Sequence, residues 1–457
     1  MSWLSSTRLL LGRSRLLPRR SLLGGGAAAR SGIPTTARFL SDDRETTLHS
    51  DSTVSDEDSS LIASKFKSQI VHKLWTERAK AKKDGSAKPM GGPSSCVTVT
   101  DGKTPCQSET KVEYPFTKDE LLSESYKSPW NSMRIGKILE DLDALAGNIA
   151  FYHVRNEDNA VEHPLIVTAS VDRIRLRKES PTMPCDQVLS GRVTYVGTSS
   201  MEIRMHCTSA EDTDPWLEAF FTFVTLDPTT KKPMLITPLK PQSPQEQADF
   251  DAGAQRAALK KQRRKQEKEG AHQIPPHAEA LLRQARPVLL NMPSLASGGA
   301  DITMAATSMQ NALMAQPQSR NLHNRIFGGF LMRRAFELAF ANAYVFGGAR
   351  PVFREVDEIS FAAPVDVGDL LVFNSRVLYT SSNDGATDGD YPMVHLEVET
   401  FVTEPELADA KLSNQFYFTF AIQGPTRPLR QILPANIDEA TRMALRMEAD
   451  KVQASGD

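Results

Sequence analysis

Two stretches of the chain carry apolar residues at so many successive positions that helices built from them would be buried on nearly every side. One covers 134–147, and the other begins at the pair Gly328-Gly329. Stepped at about 100° per residue, Arg333, Arg334 and Glu337 of the second share one arc of roughly 100°. Phe330, Leu331, Ala335, Phe336 and Ala339 cover much of the remaining surface. In the first stretch Lys137, Glu140, Asp141 and Asn148 form a polar stripe of similar width, which reads as solvated. Asp143 falls about 60° outside that stripe, beside Leu139 and Ala146. A carboxylate leaning onto an apolar face costs free energy unless it bends back to solvent, is paired, or is used.

After each helix the period changes from helical spacing to two. Strands are expected at 165–174, 188–196, 201–207 and 216–226, and again at 356–361, 370–379, 394–402 and 412–422. Val171-Asp172-x-Ile174 matches Val356-Asp357-x-Ile359 at an offset of 185 positions, and Arg192-Val193-x-Tyr195 matches Arg376-Val377-x-Tyr379 at 184. A helix followed by antiparallel strands, given twice, is an internal duplication of α+β type. The halves should pack as a pseudo-dimer with their sheet edges paired, since an unpaired edge is a liability.

The remaining segments divide by composition. Residues 1–40 carry seven arginines and no acidic residue, the make-up of a mitochondrial transit peptide with a processing point after Leu40. Losing those arginines takes the formal net charge from −2 to −9, which argues against a nucleic-acid partner. Residues 41–109 read as largely disordered, with one amphipathic helix at 61–83 docked on the body. Residues 241–299 read as a charged, solvated helical linker between domains at 110–240 and 300–425, and 426–457 as a C-terminal tail. No apolar run approaches the roughly eighteen residues of a membrane span, so no integral membrane segment is expected. Cys96, Cys106, Cys185 and Cys207 form no Cys-x-x-Cys pair and read as free thiols; no metal site and no cofactor are expected.

Gly-Lys-Ile-Leu-Glu-Asp-Leu-Asp-Ala-Leu-Ala at 136–146 and Asn-Arg-Ile-Phe-Gly-Gly-Phe-Leu-Met-Arg at 324–333 closely resemble motifs of the hotdog acyl-CoA thioesterases, specifically the mitochondrial subfamily with two tandem hotdogs per chain. The resemblance covers roughly residues 110–425 and implies two central helices, each wrapped by an antiparallel sheet. It also implies an acyl-CoA substrate and a homo-oligomer of double-hotdog chains. The wider family places an Asn seven residues before the first glycine of the pair, and an acid seven after the second. Here Asn321 stands seven before Gly328, but Phe336 occupies the acid position and Glu337 comes one later. In the first repeat Gly136 replaces the second glycine, Asp143 lies seven beyond it, and Ser128 stands where the Asn belongs. Each repeat therefore keeps half a site, and the resemblance implies one composite site from Asp143 and Asn321, with the other dead.

Thioester hydrolysis needs an activated water, a group to take its proton, and donors for the oxyanion. Asp143 is the expected general base, or the direct nucleophile through an anhydride. Asn321 would orient water or carboxylate, and the backbone N–H groups near Gly136, Gly328 and Gly329 would polarise the carbonyl. A leaving thiol of pKa about 8.5 needs no strong acid, so the lack of a motif histidine is no objection. A hydratase, the rival chemistry, would need a histidine at the helix start, and none follows Asp143 before His153. A non-catalytic acyl-CoA binder or scaffold is the other alternative.

Overall fold

The computed structural model describes residues 68–84, 89–93, 96–97, 99–155, 164–212, 214–270, 274–291, 300–321, 325–381 and 391–456. The arginine-rich N-terminus lies outside the described residues. Helix α1 is Gln69–Asp84, and the first half then runs β1 (Thr110–Tyr114), α2 (Glu120–Tyr126), α3 (Ile135–Val154), β2 (Leu165–Leu176), β3 (Gln187–Val196), β4 (Ser200–Ser209) and β5 (Leu217–Leu226). Helices α4 (Pro244–Gly270) and α5 (Pro276–Asn291) follow. The second half is β6 (Asp301–Thr303), β7 (Met309–Met314), α6 (Gly328–Gly347), β8 (Pro351–Phe361), β9 (Leu370–Ser381), β10 (Met393–Glu404), β11 (Asp409–Ile422), β12 (Gln431–Leu433) and α7 (Ile437–Gly456).

Both halves contribute to one sheet of ten strands in the order β1-β3-β4-β5-β2-β8-β11-β10-β9-β7. Under the duplication this order is a palindrome, and the junction is the antiparallel pair of β2 with β8. The matched motifs pair with each other there: Val171 faces Ile359 and Ile174 faces Val356. That is the isologous contact of a dimer built into one chain. Alternation sets the inner face of each strand. In β5, Leu217, Ala219, Phe221 and Phe223 point inward and are buried, as period two requires.

Helices α3 and α6 lie against each other within this wrap. Ile138, Leu142, Leu145 and Ile149 of α3 are fully buried, each worth about 1.5–3 kcal/mol of transfer free energy. Charges cross between the helices: Arg333 reaches Glu140 at 3.0 Å and Arg134 reaches Glu337 at 3.0 Å. The polar stripe of α3 is therefore not solvated. Glu140, Asp141 and Asn148 are all buried, because α6 and α1 cover the faces that an isolated helix would leave to water. Asp141 accepts hydrogen bonds from the hydroxyls of Tyr114, Tyr126 and Ser68, and burial pushes its carboxyl up to about 7.

Three further readings are corrected. Cys96 and Cys106 form a disulfide, their Cα atoms 5.8 Å apart, while Cys185 and Cys207 are free. The charged stretch after residue 241 is no solvated linker: Arg256 of α4 pairs with Glu202 on β4, and Lys260 pairs with Asp172 on β2. Its charges match carboxylates on the outer face of the sheet, so the helix lies along that face. Residues 426–457 form β12 and α7 in place of a tail, and Arg442 and Arg446 of α7 pair with Glu397 and Asp357 of the second half.

Candidate functional site

Helix α6 opens abruptly. Phe327, its N-cap, is extended and supplies no side-chain acceptor, so the first N–H groups of the helix need partners from elsewhere. The partner is Asp143, which comes from the other repeat. Its Oδ2 accepts the Gly329 N–H at 2.7 Å, placing the carboxylate at the positive end of the helix dipole. Gly328 eases that approach: a Cβ there would stand 3.0 Å from Asp143 Oδ2 and 3.2 Å from the Phe361 ring, so one or the other would have to give way. At Gly329 a Cβ would lie 2.9 Å from the Glu140 backbone oxygen, so this glycine lets α6 cross close over α3. The pair Gly328-Gly329 and Asp143, 185 or so positions apart in sequence, thus make one contact.

On its other side Asp143 Oδ1 accepts the Thr168 hydroxyl at 3.2 Å, from strand β2. Burial drives the Asp143 carboxyl up to about 6, and the Gly329 and Thr168 hydrogen bonds, which favour the charged form, hold it from going higher. A carboxylate of that pKa is mostly ionised near neutrality and basic enough to take a proton from water. Two donors leave part of its acceptor capacity open.

The equivalent place on the other side of the pseudo-twofold holds no acid. Seven residues past Gly329 stands Phe336, and a Cβ at Gly136 would meet the Phe336 ring at 3.3 Å. Gly136 is therefore a close-packing glycine rather than part of a polar site. Phe336 packs edge-on with Phe353 and Phe418, and its neighbour Glu337 is held by Arg333, Arg334 and Arg134.

Of the residues singled out from sequence, the structure unites Asp143 with Gly328 and Gly329 and leaves Gly136 apart. Asn321 lies in the turn that leads to α6. Its side-chain oxygen accepts the Arg325 N–H at 3.1 Å, and its own N–H donates to the Arg325 carbonyl at 2.6 Å. Among the described residues Asp143 takes its hydrogen bonds from Gly329 and Thr168 and not from Asn321. Thr168 was missed. Its only signal is a hydroxyl between the apolar Val167 and Ala169, 25 residues after the acid. His153 is a core residue, its Nε2 bonded to the Thr237 carbonyl at 2.9 Å and its basicity lowered by burial.

No protein-family model matches the chain. It is 39% identical over 406 residues to acyl-coenzyme A thioesterase 2, chloroplastic, from Humulus lupulus, covering 86% of this chain and 91% of that one. Acyl-coenzyme A thioesterase 4, mitochondrial, from the same plant is 41% identical over 404 residues, covering 86% and 75%. Acyl-coenzyme A thioesterase 9, mitochondrial, of Homo sapiens is 34% identical over 319 residues, covering 68% and 71%.

Proposed function

The chain belongs to the acyl-coenzyme A thioesterases, and we propose that it cleaves its substrate in one composite site where the first repeat's Asp143 meets the second repeat's Gly328-Gly329 helix start. The observation that carries this reading is the 2.7 Å hydrogen bond from Gly329 to Asp143, which joins the two half-sites. Asp143 takes a proton from water as the water oxygen bonds to the thioester carbon. The carbonyl oxygen gains negative charge, and the Gly328 N–H at the start of α6, the one left open among the described residues there, stabilises it together with the helix dipole. The C–S bond then breaks, the electron pair leaves on the coenzyme A thiolate, and the proton held by Asp143 passes to that thiolate, giving free acid and thiol and restoring the base. Both oxygens of Asp143 are held by donors, which fixes the carboxylate and blunts it as a nucleophile, so we assign it the base role.

Thr168 positions the carboxylate, and Asn321 positions the turn that delivers Gly328. The Phe336 side of the pseudo-twofold serves packing alone. The arginine-rich N-terminus and the mitochondrial relatives support action in the mitochondrion, and we read the matrix as the compartment. A fluorescent fusion of residues 1–60 that lit up plastids or cytosol would overturn that reading. Free-thiol release from acyl-CoA by purified protein tests the chemistry. Wild type should turn over and Asp143→Asn should be slowed about a hundredfold or more, the scale of a lost general base. A wild type that binds acyl-CoA without releasing thiol would make the chain a binder.

A further inference from the structure

Helices α4 and α7 are themselves part of the duplication. Ala254-x-Arg256-x-Ala258-Leu259-Lys260 matches Ala440-x-Arg442-x-Ala444-Leu445-Arg446 at an offset of 186 positions. Each helix lies on the outer face of its own half-sheet with its basic residues on sheet carboxylates. Lys260 binds Asp172 as Arg446 binds the matching Asp357. The matched arginines take carboxylates at different register positions, Arg256 on Glu202 opposite Tyr195 and Arg442 on Glu397 opposite Arg376.

The two interfaces then diverge. Under α7, Met443 is buried, Met447 packs on the core, and Asp450 accepts the Tyr379 hydroxyl. The matching positions on α4 are Ala257, Lys261 and Arg264. Small or outward-reaching side chains stand where the second half fills its interface with methionine. A cavity of about 980 Å³ lies between α4 and the sheet, at the upper end of the size range of ligand sites.

Its walls indicate what fits. Ala169 and Val224 of the sheet and Ala254 and Ala257 of the helix give it alkyl surface. Tyr195 also lines it, its ring packed at a tilt on Phe250, 5.2 Å between centroids. The two sheet carboxylates, Asp172 and Glu202, are matched by Lys260 and Arg256. Lys261 and Arg264 at the rim are exposed, and among the described residues neither forms an ion pair. Apolar walls with surplus positive charge at the mouth are complementary to an amphipathic anion.

We propose that the cavity between α4 and the outer face of the first half-sheet binds a fatty carboxylate, its alkyl chain between helix and sheet and its carboxylate on Lys261 and Arg264. This is also the class of the reaction's product, a link that rests on the proposed hydrolysis. The site has a route to the chemistry. Ala169 lines the cavity, and the preceding residue on β2, Thr168, holds Asp143. One strand therefore separates the ligand from the catalytic carboxylate.

The test uses the full chain with its thioester site filled by a saturating, non-hydrolysable thioether analogue of lauroyl-CoA, titrated with laurate by calorimetry. One equivalent should bind. Ala257→Met with Lys261→Met, which installs the second half's residues, should weaken binding about tenfold or more. Lys261→Glu with Arg264→Glu, both on the exposed rim, should do the same without touching the fold, and both double variants should keep wild-type thiol release in the absence of laurate. Absence of laurate binding with the thioester site blocked, or undiminished binding in both variants, overturns the proposal. So does ATP occupying the site and displacing laurate. If the chain released no thiol, the hydrolytic reading would fail while the laurate titration still reported on the cavity.

Discussion

Thr168→Val removes one hydroxyl and keeps the shape of a β-branched side chain on β2. That hydroxyl donates to Asp143 Oδ1 at 3.2 Å, and it favours the charged carboxylate over the neutral acid. A hydrogen bond to a charged group contributes about 1.5–3 kcal/mol, and one this long belongs at the lower end. Since one pKa unit is about 1.4 kcal/mol, the Asp143 carboxyl should rise by roughly one unit. The acid limb of kcat/KM, set near 6 in the wild type by burial of that carboxyl, should then move to about 7. The direction follows from the role: the base works only when ionised, so a higher pKa costs activity on the acid side and spares the alkaline plateau. Thiol release followed between pH 5 and 9 should show a variant about fivefold slow at pH 6, about tenfold slow at pH 5 and near wild type at pH 8.5. A uniform loss at every pH would mean that Thr168 serves packing only. A limb that stayed in place would take the general base away from Asp143.

Asp143→Asn should abolish most turnover and yet stabilise the fold. The carboxyl is raised from 3.8 to about 6, so its burial opposes folding increasingly from about pH 4 upward and fully above about pH 6, by roughly 3 kcal/mol at most. An amide keeps an acceptor for Gly329 and adds a donor for Thr168, so urea unfolding at pH 7.5 should shift to higher denaturant, whereas a lower midpoint would contradict the buried-charge argument. Glu337→Gln should leave turnover within about threefold, because that carboxylate is engaged by three arginines on the packing side; a crippled variant would move the catalytic acid to the second repeat. Tyr126→Phe should cost about 1–3 kcal/mol in urea unfolding by leaving the buried Asp141 carboxylate short of a donor; an unchanged midpoint would mean that Asp141 is neutral and indifferent. Asn321→Ala should slow turnover about tenfold through the loosened turn before Gly328, with Asp143's acid limb unmoved; a shifted limb would put Asn321 directly on the carboxylate.

What could be read in sequence was what depends on near neighbours or on repetition. Period two located four strands in each half but not the short β1, β6, β7 and β12, and the duplication led to paired sheet edges without saying that they would meet where Val171 faces Ile359. Asp143 was visible because a helical wheel shows a carboxylate on the wrong face and the glycine spacing gives it a task. Asp141, two residues away, looked solvated because its partners come from far off: Ser68 is 73 positions distant and Tyr114 is 27. No wheel drawn for one helix contains them. The cysteine pair was misjudged by the same limit, since Cys96 and Cys106 meet only once the loop before β1 is folded. The matching basic residues Lys260 of α4 and Arg446 of α7 were present in the letters, but they acquire meaning only opposite Asp172 and Asp357, whose outward direction the sheet decides.

The two places where the halves differ share a direction. In the interior, the first repeat keeps Asp143 against the partner helix where the second places Phe336 against Gly136. On the outer face, the first keeps Ala257 and Lys261 where the second seals with Met443 and Met447. A duplicated chain has two copies of every contact, and losing polarity or space in one copy costs no function if the other retains it. The fully packed copy then supplies apolar burial that offsets the charge and space held in its sibling. On this view Phe336→Asp would destabilise the chain without creating a second site, because the carboxylate would sit in a cluster of phenylalanines rather than beside a threonine-bearing strand.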